Sequence, residues 1–217
     1  MKNHITELVF VLDRSGSMSG LESDTIGGFN SLIERQKRIK GKCYVTTVLF
    51  DSQHETVHDR EELSTIMPMT ERDYYVRGCT ALLDALGDTI NHISNIHKYI
   101  RSEDVPEQTT FVIMTDGMEN ASHRYDGPEV RQMIESKKEK SGWEFLFLAA
   151  NIDAIETAAR MGINDDFAAN YHPDKEGTRV AYEAIGKAIL STRMGKPIDA
   201  DWSEAIDNDF AGRDSQR

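Results

Sequence analysis

The sequence is poor in cysteine, in positive charge and in long apolar runs, and each shortage excludes a class of protein. Its 217 residues include two cysteines, Cys43 and Cys79, which are too few for a disulfide framework or a cysteine-rich zinc site. We therefore expect two unpaired, buried thiols and a reducing, cytoplasmic setting. Mean hydropathy is −0.52 and no apolar run approaches the length that crosses a bilayer, so we expect no membrane partner.

Positive charge is scarce, because 25 Lys and Arg residues stand against 37 Asp and Glu residues, a formal net charge of −12. Proteins that bind a nucleic-acid backbone usually carry a basic face, so we expect no nucleic-acid partner. An acidic excess is also typical of a soluble chain, and we expect a monomer. A few polar residues lead straight into the first apolar run, so no signal peptide is expected.

Apolar runs and helical periods alternate along the chain. Residues 8–12 are continuously apolar, which is typical of a strand that is covered on both faces. Further strands are predicted at 44–50, 109–115, 143–149 and near 167–169, with a short polar edge strand at 55–59. Helices are predicted from residue 21 to about 40, from 81 to about 100, and over 128–140, 152–161 and 175–193. This alternation predicts an α/β fold with a doubly wound, mostly parallel central sheet and helices on both faces.

Composition changes after Gly195-Lys196-Pro197, where acidic residues become frequent. We expect one domain over residues 1–194 and a flexible, acidic C-terminal tail over residues 195–217. The two aromatic residues of the tail, Trp202 and Phe210, favour the alternative that it docks on the domain or on a partner.

Three predicted strand or helix ends carry side chains with oxygen atoms. Asp13, Ser15 and Ser17 follow the first strand, Thr80 precedes the long helix, and Asp116 follows the strand at 109–115. Because parallel strands joined by crossovers end at one edge of a sheet, these loops can converge. Hard oxygen ligands suit Mg²⁺, Mn²⁺ or Ca²⁺ rather than zinc.

Plainer interpretations of the same residues stay open at this point. Asp and Ser are common helix caps, so the first group could be an ordinary strand-to-helix turn, and Thr80 could simply cap the long helix. Asp116-Gly117 could be a turn. Tyr74 and Tyr75 fit either a surface that faces a partner or buried loop anchors.

The Asp-x-Ser-x-Ser run, the later Thr and the Thr-Asp-Gly sequence resemble the metal-ion-dependent adhesion site of von Willebrand factor A domains. All five positions of that pattern are present, and the order of elements fits from about residue 5 to 194. The resemblance implies a doubly wound sheet with one antiparallel edge strand, for which residues 55–57 are suited. The short form of the chain is similar to the standalone bacterial members of the family.

The same resemblance implies a role for each matching residue. Ser15 and Ser17 are implied to bind the metal directly, whereas Asp13, Thr80 and Asp116 bind it directly or through water. Two further residues, Glu119 and Asn120, are implied to support these ligands without binding the metal themselves.

Such a centre favours a protein partner. The serine hydroxyls are neutral, so Asp13 and Asp116 alone offset the dication, and the metal keeps net positive character when one aspartate stands behind a water. An open coordination position then favours a Glu or Asp side chain of another protein. We therefore predict a Mg²⁺-dependent protein–protein interaction module without catalytic residues.

The alternative is a Mg²⁺-dependent phosphohydrolase that uses Asp13 and Asp116. A haloacid-dehalogenase-type nucleophile needs a second Asp two residues later, where this chain has Ser15. The sequence contains no glycine-rich phosphate loop and no Gly-x-Ser-x-Gly elbow, and no pair of nucleophile and base can be named.

Overall fold

The computed structural model describes residues 4–214, which form a single six-stranded sheet with helices around it. The strands are β1 (Ile5–Asp13), β2 (Lys42–Phe50), β3 (His54–Glu62), β4 (Gln108–Thr115), β5 (Glu144–Ala149) and β6 (Ala168–Asn170). The helices are α1 (Glu22–Lys37), α2 (Leu82–Tyr99), α3 (Gly127–Ser141), α4 (Ala154–Arg160), α5 (Lys175–Arg193) and α6 (Glu204–Asp214).

The sheet confirms the predicted α/β class. Its strand order is β3-β2-β1-β4-β5-β6, in which β3 runs antiparallel to β2 and the other neighbouring pairs are parallel. The edge strand β3 is polar and mostly exposed, as suits an edge that must not recruit other chains. Because β1 and β4 are neighbours in the centre, the loops that follow them lie side by side.

Alternate side chains of β1 enter two separate cores, one on each face of the sheet. Leu8, Phe10 and Leu12 pack with residues of α1 and α5, and Val9 and Val11 pack with residues of α2 and α3. Both faces are therefore covered, which explains the continuous apolar run in the sequence. In the part of the chain that the structure describes, no helix has both the length and the apolar character needed to cross a membrane.

The two cysteines differ from each other. Cys43 is buried, as expected, whereas Cys79 is exposed, which corrects the expectation that both thiols are buried. The backbone N–H of Cys79 donates to the Ser52 hydroxyl, and the next side chain, Thr80, turns into the protein. The thiol between them is left on the surface.

The segment after residue 194 differs from the expected flexible tail, at least as far as residue 214. It ends in α6, which packs against α5 and β6. Trp202 and Ile206 are buried, and the Trp202 indole N–H donates to the Asp166 carbonyl at 2.7 Å. Phe210 stacks on His172 with ring centres 4.6 Å apart.

The acidic residues that suggest flexibility in this segment are mostly exposed. The docking instead depends on a few apolar side chains that join the core on the α1–α5 face. Residues 215–217 of the predicted tail lie outside the described residues.

Candidate metal centre

Asp13 is the last residue of β1 and is held rigidly in the protein. Its Oδ1 accepts a hydrogen bond from the Ser15 backbone N–H at 2.7 Å, and its Oδ2 accepts one from the Thr115 hydroxyl at 2.5 Å. Burial raises the pKa of Asp13 to about 6; the bonds from Thr115 and Ser15 oppose this rise and the neighbouring Asp116 adds to it. The carboxylate is thus well oriented, but its charge is poorly compensated.

The three predicted hydroxyl ligands form one chain of contacts. The Thr80 hydroxyl donates to Ser15 Oγ at 3.0 Å, and Ser15 Oγ lies 3.0 Å from Ser17 Oγ. Thr80 and Ser15 are buried and Ser17 is exposed, so the chain leads from the interior to the surface. Hydroxyl oxygens in such a chain can turn their lone pairs towards a cation.

The same contacts decide against helix capping as the role of these residues. The N-cap of α2 is Ala81, and the N-cap of α1 is Leu21. Ser15 precedes a short 3₁₀ turn, but its side chain makes no capping hydrogen bond. Thr80 and Ser15 therefore direct their hydroxyls at each other rather than at a helix end.

Asp116 follows β4 and is the least satisfied group of the centre. It is 2% exposed, and neither carboxylate oxygen has a hydrogen-bond partner of normal geometry. Burial raises its pKa, against the influence of the nearby Ser17 hydroxyl. A buried carboxylate in this state is costly unless a cation compensates it.

Gly117 shows how closely the three loops approach. A Cβ atom at this position would lie 2.9 Å from Ser17 Oγ and 3.2 Å from Thr80 Oγ1. The loop after β4 therefore touches both of the loops that carry hydroxyls. The predicted ligands Asp13, Ser15, Ser17, Thr80 and Asp116 are all brought to one place at the carboxyl edge of the sheet.

The donor set of this place fits a hard cation. Among residues 4–214 no three His, Cys, Asp or Glu side chains come together as a metal site, so a cation here would depend on hydroxyls as much as on carboxylates. Two carboxylates and three hydroxyls are the oxygen donors that Mg²⁺ accepts, and Mn²⁺ or Ca²⁺ accept the same set. The unpartnered oxygens of Asp116 are the atoms that such an ion would satisfy.

Glu119 and Asn120 direct their bonds to the protein around the centre. The Asn120 side-chain oxygen accepts the Thr80 backbone N–H at 2.9 Å, and the Asn120 N–H donates to the Thr80 carbonyl at 3.0 Å. Glu119 Oε2 accepts from the Leu83 backbone N–H at 3.0 Å and from the Ser122 hydroxyl at 2.8 Å. Both residues attach the loop after β4 to the start of α2.

Two residues next to the aspartates are not among those that the sequence assigns to the centre. Thr115 binds Asp13 and stands inside the Thr-Asp-Gly sequence, so a signal for it exists. Tyr171, which follows β6, is buried with an unpartnered hydroxyl, and burial together with Asp116 raises its pKa. No pattern in the sequence marks Tyr171.

Of the two neighbouring tyrosines before Arg77, one is buried and the other is exposed. Tyr74 is a buried anchor, because its hydroxyl donates to the Asp13 carbonyl at 2.5 Å. Tyr75 is 42% exposed, and the guanidinium groups of Arg14 and Arg77 each lie 5.3 Å from its ring centre. Tyr74 thus supports the first ligand from beneath, and Tyr75 belongs to the surface.

The centre opens to solvent through a surface depression of about 380 Å³. Its lining includes Ser17 and Asp116 of the centre, together with Asn151, Asp174 and Lys175. The more buried residues of the centre lie behind this opening. A side chain of another molecule can therefore approach the centre at the exposed Ser17.

No family model matches the sequence, and no curated protein matches it either. Solved structures do match. The von Willebrand factor domain of the type V pili tip protein Mfa5 from Porphyromonas gingivalis is 10% identical with a TM-score of 0.65, and the match covers 89% of this chain and 96% of that one. The von Willebrand factor type A protein from Catenulispora acidiphila is 10% identical with a TM-score of 0.56, covering 86% and 43%. This chain has a von Willebrand factor A-like fold.

Pilus proteins contain the von Willebrand factor A-like fold as part of longer chains. The pilus adhesin SpaC from Lactobacillus rhamnosus GG, in its open conformation, matches at 12% identity with a TM-score of 0.65 over 86% of this chain and 30% of its own. This chain spans 61% of the matching chain of the PilB minor pilin from Streptococcus sanguinis. At such low identity the likeness establishes the fold alone.

Proposed function

We propose that this chain is a Mg²⁺-dependent protein-interaction module that binds an acidic side chain of a partner protein through the metal. The observation that carries the proposal is the pair of buried, unpartnered oxygens of Asp116, whose neighbour Gly117 lies against the hydroxyls of Ser17 and Thr80. Mn²⁺ or Ca²⁺ would suit the same hard oxygens.

The ligands divide into an inner and an outer group. Asp13, Ser15, Thr80 and Asp116 are buried and would hold the ion from behind, while the exposed Ser17 lies at the open depression, which Asp116 also borders. When bound, the ion supplies a positive centre with room for one anionic oxygen from outside. A Glu or Asp side chain meets that need with a charge-assisted contact, and the rim of the depression would add specificity.

The solved structures with this fold support binding rather than catalysis. They include a pilus adhesin, a pili tip protein and a minor pilin. In this chain, hydrogen bonds from Ser15 and Thr115 hold the Asp13 carboxylate in one orientation, as suits a ligand of a bound ion. The proposed site is thus a fixed set of oxygen ligands for a cation.

Selection from a displayed random-peptide library tests the proposal without assuming which protein is the partner. Peptides are captured on the full chain in Mg²⁺ and released with EDTA. We expect the released peptides to share an Asp or Glu, and a Glu→Gln version of each peptide to lose binding. Thr80→Ala should bind the peptides more weakly, whereas Ser31→Ala, which replaces an exposed serine on α1, should bind them as the unaltered chain does.

Two results would contradict the proposal. One is a set of peptides that bind equally well in EDTA or that lack a shared acid. The other is hydrolysis of an aryl phosphate in Mg²⁺ that disappears in Asp13→Ala, which would establish the phosphohydrolase alternative instead.

A further inference from the structure

Arg14 stands inside the Asp-x-Ser-x-Ser run, and its side chain is fully buried. Its Nε donates to Asp51 Oδ2 at 3.0 Å, its Nη2 donates to Glu55 Oε2 at 2.9 Å, and its Nη1 donates to the Asp73 carbonyl at 3.3 Å. A buried guanidinium is tolerated only when it is paired and hydrogen-bonded in this way. Arg14 therefore ties the first loop of the centre to the β2–β3 turn and to the loop before α2.

Asp51 continues the same network towards Thr80. Its Oδ2 also accepts from Arg77 Nε at 2.8 Å, and its carbonyl accepts the Ala81 N–H at 2.9 Å. Burial alone would raise the pKa of Asp51, but hydrogen bonds from Arg77 and Arg14 lower it below its usual value. Asp51 is thus an ionised link between the two guanidinium groups.

Backbone hydrogen bonds also attach the residues just before Thr80 to the first loop of the centre. The Arg77 N–H donates to the Arg14 carbonyl at 2.9 Å, and the Gly16 N–H donates to the Gly78 carbonyl at 3.1 Å. Gly78 has a φ of +67°, and a Cβ there would lie 2.7 Å from Ser52 Oγ, so the loop fits tightly at this point. Thr80 is therefore fixed between Gly78 and Ala81.

We propose that Arg14 and Asp51 are positioning residues of the metal centre: their buried ion pair fixes residues 77–81, so that the Thr80 hydroxyl reaches Ser15. The inference rests on the proposed function, because it concerns ion affinity at the same centre. Neither side chain acts as a ligand, since both are committed to each other, to Arg77 and to Glu55.

A positioning role differs from simple stabilisation in what it predicts for ion binding. Residues that orient the ligands of a metal typically change its affinity roughly 10- to 100-fold when they are replaced. A pair that only stabilised the fold would lower the unfolding midpoint and leave the affinity unchanged. The affinity for Mg²⁺ therefore separates the two roles.

The test is a double-mutant cycle on the full chain, with Mg²⁺ affinity measured by titration calorimetry. We expect Asp51→Asn to weaken Mg²⁺ binding roughly tenfold or more, with circular dichroism unchanged. Because Asp51 acts through Thr80, its replacement should have little further effect in a Thr80→Ala background. Glu55→Gln removes the half-exposed partner of Arg14 and serves as the matched control with near-normal affinity.

The other possible results would overturn either the positioning role alone or the proposed function as well. Wild-type affinity in Asp51→Asn, or equal losses in the two backgrounds, overturns the positioning role alone. Absence of Mg²⁺ binding by the unaltered chain overturns the proposed function and the positioning role together. If Asp51→Asn does not fold, Arg14→Lys keeps the buried positive charge but cannot make all the hydrogen bonds of the guanidinium, and unchanged affinity in that variant is equally decisive.

Discussion

The two ends of β1 each carry buried charge, and the protein compensates it differently at each end. Near the start, Glu7 is fully buried and pairs with Arg60 at 3.2 Å and with His97. At the far end, Asp13 and Asp116 are equally buried, but none of their hydrogen bonds or ion pairs within residues 4–214 involves Lys, Arg or His.

The difference separates an acid that is paired within the chain from two acids that have no positive partner among residues 4–214. Glu7 has the positive guanidinium of Arg60 from β3 beside it and accepts a hydrogen bond from His97 of α2, so its charge is compensated within the chain. At the other end, Ser15 and Thr115 orient Asp13 but supply no positive charge, and the oxygens of Asp116 have no hydrogen-bond partner. Buried anions are normally paired, so these two point to a cation from outside the chain.

The largest expected effect is at the Glu7 end. Glu7→Ala leaves Arg60 and His97 without their acid, so we expect it to lower the free energy of unfolding by about 3–5 kcal/mol. Mg²⁺ should still raise the melting temperature by the normal amount, since the metal centre is at the opposite edge. Urea unfolding and thermal melts with Mg²⁺ or EDTA measure both quantities. Loss of the Mg²⁺ response in Glu7→Ala would contradict the separation between the two ends of β1.

An effect of similar order is expected from the acidity of Asp13, whose pKa is raised to about 6. Between about pH 4 and 6 the folded chain keeps a proton that the unfolded chain has released, so in EDTA its stability falls as pH rises through this range. The loss is on the order of 3 kcal/mol, and it is complete above pH 6. Asp13→Asn should flatten this part of the profile.

Mg²⁺ should reverse the pH trend, because the ion competes with the proton on Asp13. We expect its affinity to fall as the pH drops below about 6. Unfolding curves from pH 4 to 7.5, with and without the metal, measure this. An identical pH profile for Asp13→Asn and the unaltered chain in EDTA would mean that Asp13 does not carry the proton.

The smallest expected effect is that of an exposed acid near Glu7. Glu107 pairs with His4 at 2.9 Å, but both side chains are partly exposed. Glu107→Gln should change the free energy of unfolding by less than about 1 kcal/mol. The same urea unfolding applies, and a loss as large as that of Glu7→Ala would show that burial is not what separates the two pairs.

Much of the fold and the centre could be predicted from the sequence, because both follow from local patterns. The apolar run of β1 and the alternation of strands and helices predict the sheet, and the Asp-x-Ser-x-Ser run predicts one side of the centre. Asp116 could be added because parallel strands end at one edge, and Thr80 through the resemblance to the von Willebrand factor A pattern.

The remaining features depend on contacts between residues far apart in the chain. An arginine after a strand is usually exposed, and nothing near Arg14 in the sequence reveals its buried partners Asp51 and Glu55. The docking of α6 likewise rests on Trp202 and Ile206 in an otherwise acidic segment. Composition describes the exposed surface of that segment and misses the few side chains that anchor it.

Calorimetric titration of Mg²⁺ into the unaltered chain and into Asp116→Asn tests the central claim most directly. We predict that Asp116→Asn is at least as stable as the unaltered chain in EDTA, because it removes a buried, unpartnered carboxylate. It should lose the heat of Mg²⁺ binding and the stabilisation of about 2.7 kcal/mol that a hundredfold excess over Kd provides. Equal Mg²⁺ affinity in the two proteins would contradict the account.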